Sequence, residues 1–279
     1  MVLRQVILLS VILGGLFLAP FSYASVQEKQ ATLWGETFSY QLVILTKRNV
    51  SYDGKAFTVE SGAKKIRRVV LNNVYFEKEG IELWNEFTKG KPPSLAESPQ
   101  LMDFLVELKS FNERGRNNLV DQLAALKNQL QYAAWYDIYH QSPSKKEFIK
   151  KFINIREQTI EYHELSHLLD EIELEQGKGN ADEKFAHDTE SRAFLTELVY
   201  GANPRDSLWQ VVTGVLDEIK AIGPSDDSVH KLTQFLETAR NVPWIPHGNE
   251  LCFLCYLSHS YAEEVAKLAY AHYPLSEKI

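Results

Sequence analysis

The pattern of apolar and polar residues divides the chain into a short β-rich stretch and a long helical one. Between residue 25 and about residue 60, the segments TFSYQLVILT and KAFTVES are rich in β-branched and aromatic residues. The intervening SYDGK is typical of a turn. These features predict a short β-hairpin in the N-terminal part of the chain.

From Ser61 onward, apolar residues recur three, four or seven positions apart, the spacing of one helix face. The residues that establish this spacing are Ile66, Val70, Val74, Ile81, Trp84 and Phe87. Gly80 predicts a break in the helical stretch. The basic run from Lys64 to Arg68 is interpreted as a solvated helix face.

A linker is predicted at TKGKPPSLAESP (88–99), because Pro92 and Pro93 cannot continue a helix. Helical periodicity dominates the rest of the chain. Helices are predicted near 99–113, 117–140, 144–175, 183–200, 204–221, 226–240 and 250–272. The expected fold is therefore mainly α (α+β), a helical bundle-like domain with a small N-terminal β element.

Three of these helices have recognisable ends. Ser144 precedes a helix with Glu147 at its third position, which is a capping box. Gly177 is suited to the position just after the helix predicted near 144–175. Asn203 followed by Pro204 predicts the start of another helix.

The N-terminus is predicted to be a signal peptide covering residues 1–24. Arg4 precedes an apolar run from Val6 to Phe21, and Ser22-Tyr23-Ala24 supplies small residues for cleavage before Ser25. The mature protein is then exported, to the periplasm or the medium if the source is bacterial. An uncleaved segment would instead tether it to a membrane. The mature chain is divided into an N-terminal segment, 25–91, and a helical domain, 92–279.

The net charge limits the classes of binding partner, and the two cysteines allow several roles. The formal net charge of −7 and the pI of about 5.7 argue against an extended nucleic-acid face. The two cysteines, Cys252 and Cys255, could form a small disulfide, serve redox or metal chemistry together with His259, or lie buried in a helix. The sequence leaves these alternatives open.

The chemistry centres on His163-Glu164-Leu165-Ser166-His167, within a segment of helical periodicity. Residues four apart project from the same helix face, so His163 and His167 can bind one zinc ion. Glu164 is rotated about 100° from His163 and can reach a water on the ion rather than the ion itself. A carboxylate in that place acts as the general base that accepts the proton of the attacking water.

These residues resemble the HExxH motif of the gluzincin metallopeptidases, the thermolysin-like clan. In that family a glutamate on a later helix is the third zinc ligand, and Glu190 lies 23 residues after His167 here. The polar loop EQGKGNADEK would let the second helix fold back beside the first. The resemblance implies a zincin domain that binds Zn²⁺ through His163, His167 and Glu190 and acts on a peptide or protein substrate.

The chain also departs from the gluzincin pattern. Glu161 stands two residues before His163, where the family has an uncharged residue, and Phe194 stands where a supporting aspartate is expected. The residues that could instead hydrogen-bond to the histidine rings and orient them are Asp170, Glu171, Asp188 and Glu197. His187 remains an alternative third ligand. The candidates for stabilising an oxyanion are Tyr162, Arg192, Tyr200, His230 and His247.

The leading hypothesis is an exported zinc metallohydrolase, most specifically a peptidase, with Glu164 as the catalytic base. One alternative is a non-catalytic exported scaffold or interaction protein whose metal is structural, with His187 or Asp170 filling the fourth position. A third hypothesis is an exported binding protein without metal. A metal with an open coordination position in a cleft would favour catalysis over the structural alternative.

Overall fold

The computed structural model describes residues 24–46, 52–62, 64–90, 99–109, 116–177, 183–220, 227–242 and 251–271. Within these ranges the chain is mainly helical with a single small sheet near the N-terminus, so the α+β fold class is confirmed. The predicted signal peptide, apart from Ala24, and Pro92 and Pro93 of the predicted linker lie outside the described residues. No helix in the described part is long and apolar enough to span a membrane.

The described strands form one four-stranded sheet in the order β1-β2-β4-β3. The strands are β1 (Ala24–Leu33), β2 (Glu36–Leu45), β3 (Gly54–Ser61) and β4 (Lys64–Asn72). β2 pairs antiparallel with β1 and parallel with β4, and β3 pairs antiparallel with β4. The predicted pairing of TFSYQLVILT with KAFTVES is therefore wrong, because β4 lies between these two strands.

The helix predicted from Ser61 is also wrong at its start, since residues 64–72 are a strand. A spacing of four, as between Ile66 and Val70, places two side chains on one face of a helix and equally on one face of a strand. Val69, Val70 and Leu71 are all buried, which is typical of an inner strand. The basic run is accordingly not a helix face: Lys65 and Arg67 on β4 form ion pairs with Glu175 at 2.7 and 3.1 Å.

The helices follow the sheet in chain order. They are α1 (Asn73–Lys89), α2 (Leu101–Lys109), α3 (Arg116–His140), α4 (Lys145–Glu175), α5 (Glu183–Tyr200), α6 (Pro204–Lys220), α7 (Asp227–Ala239) and α8 (His259–Tyr270), with a 3₁₀ turn at Leu251–Tyr256. α1 continues through Gly80, contrary to the predicted break. A Cβ at Gly80 would lie 3.1 Å from the ring of Phe152, so this glycine allows α1 and α4 to approach closely.

The predicted helix ends at Ser144, Gly177 and Pro204 are confirmed. The Ser144 side chain accepts a hydrogen bond from the backbone N–H of Glu147 at 3.3 Å. Gly177 follows α4 with φ of 75°, and α6 begins at Pro204. The last predicted helix is interrupted, because Ser258 caps α8 and separates it from the 3₁₀ turn. Cys255 is buried in that turn, while the side chain of Cys252 lies outside the described residues.

The described core has two parts, and Trp34, Tyr200 and Trp209 pack against both. One part joins the sheet to α1, α3 and α4 and includes Leu165, Leu168 and Leu169 of α4. The other joins α2, α3 and α5 to α8 and includes Phe194 and Leu198 of α5. Each of the two helices is thus anchored in a different part of the core, and their facing polar sides meet between them.

Candidate metal centre

The two histidines lie side by side on α4, one turn apart. Their ring centroids are 4.9 Å apart, and the two Nε2 atoms face each other at 3.1 Å. The adjacent face of α4 is apolar, and Leu165, Leu168 and Leu169 are buried against the sheet. Packing of that face directs the imidazoles away from the sheet and toward α5.

Glu190 on α5 completes a group of three ligand-type side chains. Its Oε1 lies 3.4 Å from His167 Nε2, and its Oε2 lies 3.7 Å from His163 Nε2. Small polar residues let the two helices approach here, since Thr196 Oγ1 on α5 contacts Ser166 Oγ on α4 at 3.2 Å. The structure therefore brings together the three residues that were predicted as metal ligands.

The two imidazoles and the carboxylate are spaced closely enough to hold a tetrahedral ion. A zinc ion with bonds of about 2.0–2.1 Å holds its ligand atoms about 3.3–3.4 Å apart. His163 Nε2 and His167 Nε2 are 3.1 Å apart, Glu190 Oε1 is 3.4 Å from His167 Nε2, and Glu190 Oε2 is 3.7 Å from His163 Nε2. The carboxylate thus presents one oxygen to each imidazole, and one ligand atom from each of the three residues lies within 4.8 Å of the other two. Two imidazoles and one carboxylate are a donor set that zinc favours, and three ligands leave the fourth vertex for water or substrate.

A carboxylate from α5 orients the first histidine. Oε1 of Glu197 lies 2.6 Å from Nδ1 of His163, so Nδ1 donates its proton to the carboxylate and Nε2 is the nitrogen directed at the metal position. Glu197 is one of the four candidates that the sequence offered for orienting the histidines. Asp170 instead lies 3.0 Å from the Nε atom of Arg192, and Glu171 accepts a hydrogen bond from Thr58 at 2.7 Å.

The charges around the site favour an ionised Glu190. Burial would raise the pKa of its carboxyl, but the contact with His167 and the charges of His163 and Lys231 hold that pKa well below the usual range. For His163, burial alone would lower the pKa, yet the hydrogen bond with Glu197 and the nearby carboxylates outweigh it and raise the pKa to about 9. A metal ion must therefore displace a proton from His163 to bind.

Glu164 lies on the flank of α4 that faces β3. It is buried, and its carboxylate accepts a hydrogen bond from the backbone N–H of Ala56. Burial raises the pKa of this carboxyl above its ordinary value. β3 approaches so closely that a Cβ on Gly54 would lie 2.3 Å from Ile160 Cγ2 and 3.0 Å from the Glu164 carboxylate. Only glycine leaves room for the carboxylate there.

A cavity of about 210 Å³ adjoins the metal position, and His163, Glu164 and Glu197 form part of its wall. The fully buried guanidinium of Arg156 also contributes to the wall. It lies 2.9 Å from Asp206 and 3.4 Å from Asp53, and its Nε is 3.6 Å from Glu79. The cluster ties α1, α4, α6 and the turn before β3 together directly beside the site.

Lys231 on α7 was missed by sequence reasoning. Its Nζ lies 3.0 Å from Oε2 of Glu190, and it lines the same cavity. It is 64 residues from His167 in the chain, and nothing in its local sequence marks it. Only the packing of α7 beside α5 brings it to the site.

None of the predicted oxyanion-stabilising residues within the described part of the chain lines the cavity. Arg192 forms ion pairs with Asp170 and Glu173, while Tyr162 stacks on Tyr200 at 5.6 Å. The side chains of His187, Asp188 and His247 lie outside the described residues.

The charged residue two positions before His163 has a clear structural partner. Glu161 forms an ion pair with Lys29 at 2.8 Å and accepts a hydrogen bond from the Tyr40 hydroxyl. It therefore holds α4 against β1 and β2 on the side away from the cavity. This contact explains why a carboxylate is tolerated at a position where the gluzincins have an uncharged residue.

Comparison with protein-family models, with curated proteins and with solved structures found no match for this chain. The resemblance to gluzincins therefore depends on the motif residues and their geometry.

Proposed function

We propose that the protein is a zinc-dependent hydrolase, and most specifically a metallopeptidase. His163, His167 and Glu190 would hold the zinc ion, and Glu164 would act as the general base. The observation that carries the proposal is the convergence of the two Nε2 atoms and the Glu190 carboxylate, whose neighbouring atoms are 3.1 to 3.7 Å apart, close to the edge of a zinc tetrahedron. The adjoining cavity supports an open coordination position.

When bound, zinc would polarise a scissile carbonyl and make a water molecule acidic near neutral pH. Glu164 would accept the proton of that water and pass it to the departing nitrogen. Its burial raises its pKa and so strengthens it as a proton acceptor, while the hydrogen bond from Ala56 holds the carboxylate in place. Glu197 keeps His163 in the tautomer that presents Nε2 to the metal.

The position of β3 supports a peptide as the substrate. Among the described strands, β3 pairs only with β4, so it is an edge strand, and it lies against α4 at Glu164. An extended peptide can add to such an edge through main-chain hydrogen bonds. Bound in this way, its carbonyl groups would pass close to Glu164. The predicted export of the protein would place this activity outside the cytoplasm.

The test is zinc content and peptide hydrolysis of protein purified without chelator. Glu164→Gln should retain one zinc ion per chain and lose hydrolysis by roughly 10²- to 10⁴-fold, because only the proton acceptor is removed. His163→Ala should lose the metal. Glu161→Gln is the matched control, since Glu161 lies on the same helix and contacts Lys29 rather than the cavity. Hydrolysis by Glu164→Gln at the control's rate would reject the mechanism.

One observation favours a second candidate, a non-catalytic helical scaffold or interaction protein. Without a metal, the ion pair of Lys231 with Glu190 and the contact of His163 with Glu197 already form a network that joins α4, α5 and α7. That network would hold the helices together by itself. A chain that takes up no zinc in equilibrium dialysis at pH about 8 would belong to this second class.

A further inference from the structure

The cavity beside Glu164 has a second wall, formed by α6 and α7, that the hydrolytic chemistry does not use. Ser207 and Gln210 on α6 and Ser228 and Lys231 on α7 contribute to it. Each of these side chains has at least one N–H or O–H donor. The wall is therefore rich in hydrogen-bond donors, whereas Glu164 and Glu197 elsewhere around the cavity are acceptors when ionised.

Two of these donors are buried and have no partner within the described residues. Ser207 is 1% exposed, and its Oγ has no hydrogen-bond partner there. The Nε2 atom of Gln210 is buried and equally unpartnered among these residues. Buried polar groups in proteins are normally hydrogen-bonded. Their position in a cavity wall is what a site for an acceptor group on a ligand requires.

Lys231 adds positive charge to this wall. Its side chain is only 12% exposed, and its contact with Glu190 uses one of the three N–H donors of an ammonium group. If Glu190 binds a metal, its negative charge is shared with the ion, and the ammonium remains available to a second anion. The hydrocarbon part of such a ligand would contact Phe194 and Val211, which also line the cavity.

We propose that this wall is a specificity subsite for a carboxylate of the substrate, next to the bond that is cleaved. This inference rests on the proposed hydrolase function. Ser207, Gln210 and Lys231 would donate hydrogen bonds to the two carboxylate oxygens. The carboxylate would come from an acidic side chain or from the C-terminus of a peptide, and the protein would then prefer substrates with an acidic group beside the scissile bond.

The test is direct binding of small probes to the zinc-loaded full-length mature protein by calorimetry. N-acetylglutamate amide has only a side-chain carboxylate, N-acetylalanine has only an α-carboxylate, and N-acetylglutamine amide has neither. The better carboxylate probe should bind roughly ten- to a hundredfold more tightly than the glutamine probe, because hydrogen bonds to charged groups are the stronger ones. Which carboxylate probe binds better decides between an acidic side chain and a chain terminus.

Variants separate this wall from the metal, which can also attract carboxylates. Gln210→Leu and Ser207→Ala should each reduce the preference for the carboxylate probe about tenfold. Gln122→Leu is the matched control, since it makes the same change on α3, away from the cavity, and should leave the preference intact. The unfolding midpoint of each variant establishes that it is folded.

Equal affinity of wild-type protein for all three probes would overturn the subsite, and so would a preference that persists unchanged in both Gln210→Leu and Ser207→Ala. Peptide cleavage profiles separate this failure from failure of the hydrolase. Cleavage with no acidic preference would leave the hydrolase intact and reject the subsite. Carboxylate binding that depends on Gln210 without cleavage of any peptide would retain the subsite and reject the hydrolase.

Discussion

The Nδ1 atom of His163 lies 2.6 Å from Oε1 of Glu197, so a carboxylate on α5 orients the first histidine of the motif on α4. Glu197 lies seven residues after Glu190, two helical turns along the same helix face. One helix thus supplies both a candidate ligand and the group that positions another ligand. The relationship couples the packing of α4 against α5 to the affinity for metal.

Removal of the Glu197 carboxylate should weaken zinc binding. Glu197→Gln is expected to lower the affinity about 10- to 100-fold, because His163 loses the partner that fixes its tautomer and ring orientation. Competition with a chromophoric chelator measures the change. Glu171→Gln is the control, since Glu171 contacts Thr58 and should leave the affinity unchanged. An equal loss in both variants would contradict a specific role of the Glu197 carboxylate.

Zinc affinity should depend on pH up to an unusually high value. The hydrogen bond and charge of Glu197 outweigh burial and raise the pKa of His163 to about 9, so the metal-free site holds a proton at neutral pH. Below pH 9 the affinity should fall about tenfold per pH unit, since zinc must displace that proton. Calorimetry in buffers of different ionisation enthalpy should detect about one proton released at pH 7.5. Release of none would contradict the protonated site.

In the metal-free protein the raised pKa of His163 should make the folded state less stable as the pH rises, whereas zinc affinity increases with pH. The pKa of His163 is raised above its ordinary value of 6.5, so protonation stabilises the folded state below about pH 6.5. This contribution is lost as the pH rises through 9. The free energy of unfolding of wild type relative to His163→Gln, measured in urea with chelator present, should decrease between pH 6.5 and 9. A constant difference across that range would rule out the shift.

Gly54 should be needed for activity more than for metal binding. In Gly54→Ala the new Cβ would overlap Ile160 and press against the Glu164 carboxylate, so β3 or Glu164 must move. Overpacking of this kind costs about 1–3 kcal/mol of stability. We expect zinc content to be retained and kcat to fall, by comparison with Lys55→Ala on the opposite face of the same strand. Unchanged kcat in Gly54→Ala would show that the close approach has no catalytic importance.

Arg156 should be among the most costly residues to replace. Arg156→Met would leave Asp206, which is fully buried, without its ion-pair partner at 2.9 Å. Removal of one member of a buried ion pair costs about 3–5 kcal/mol, whereas an exposed pair contributes about 0–1 kcal/mol. Arg67→Met is the comparison, since it breaks the more exposed pair with Glu175. Urea unfolding should show a much larger loss of stability for Arg156→Met than for Arg67→Met. Similar losses would argue against a buried charge cluster.

The sequence predicted the helical elements well where their ends are marked by local chemistry. Ser144, Gly177 and Pro204 act through their own backbone geometry and hydrogen bonds, so their effect is readable without tertiary structure. The prediction from sequence failed at β4, because an interval of four residues fits a strand face as well as a helix face. It also paired the wrong strands, because β2 meets β4 only through contacts distant in the chain.

The histidine pair was determined by the sequence itself, since an interval of four residues on a helix places two side chains on one face. Glu190 was anticipated from the resemblance to gluzincins, and its position depends on how α5 packs against α4. The contacts of Lys231, Arg156 and Glu197 were decided only by the tertiary structure. Their partners lie 34 to 103 residues away along the chain, and no local pattern encodes which buried charges will meet when separate elements pack around one cavity.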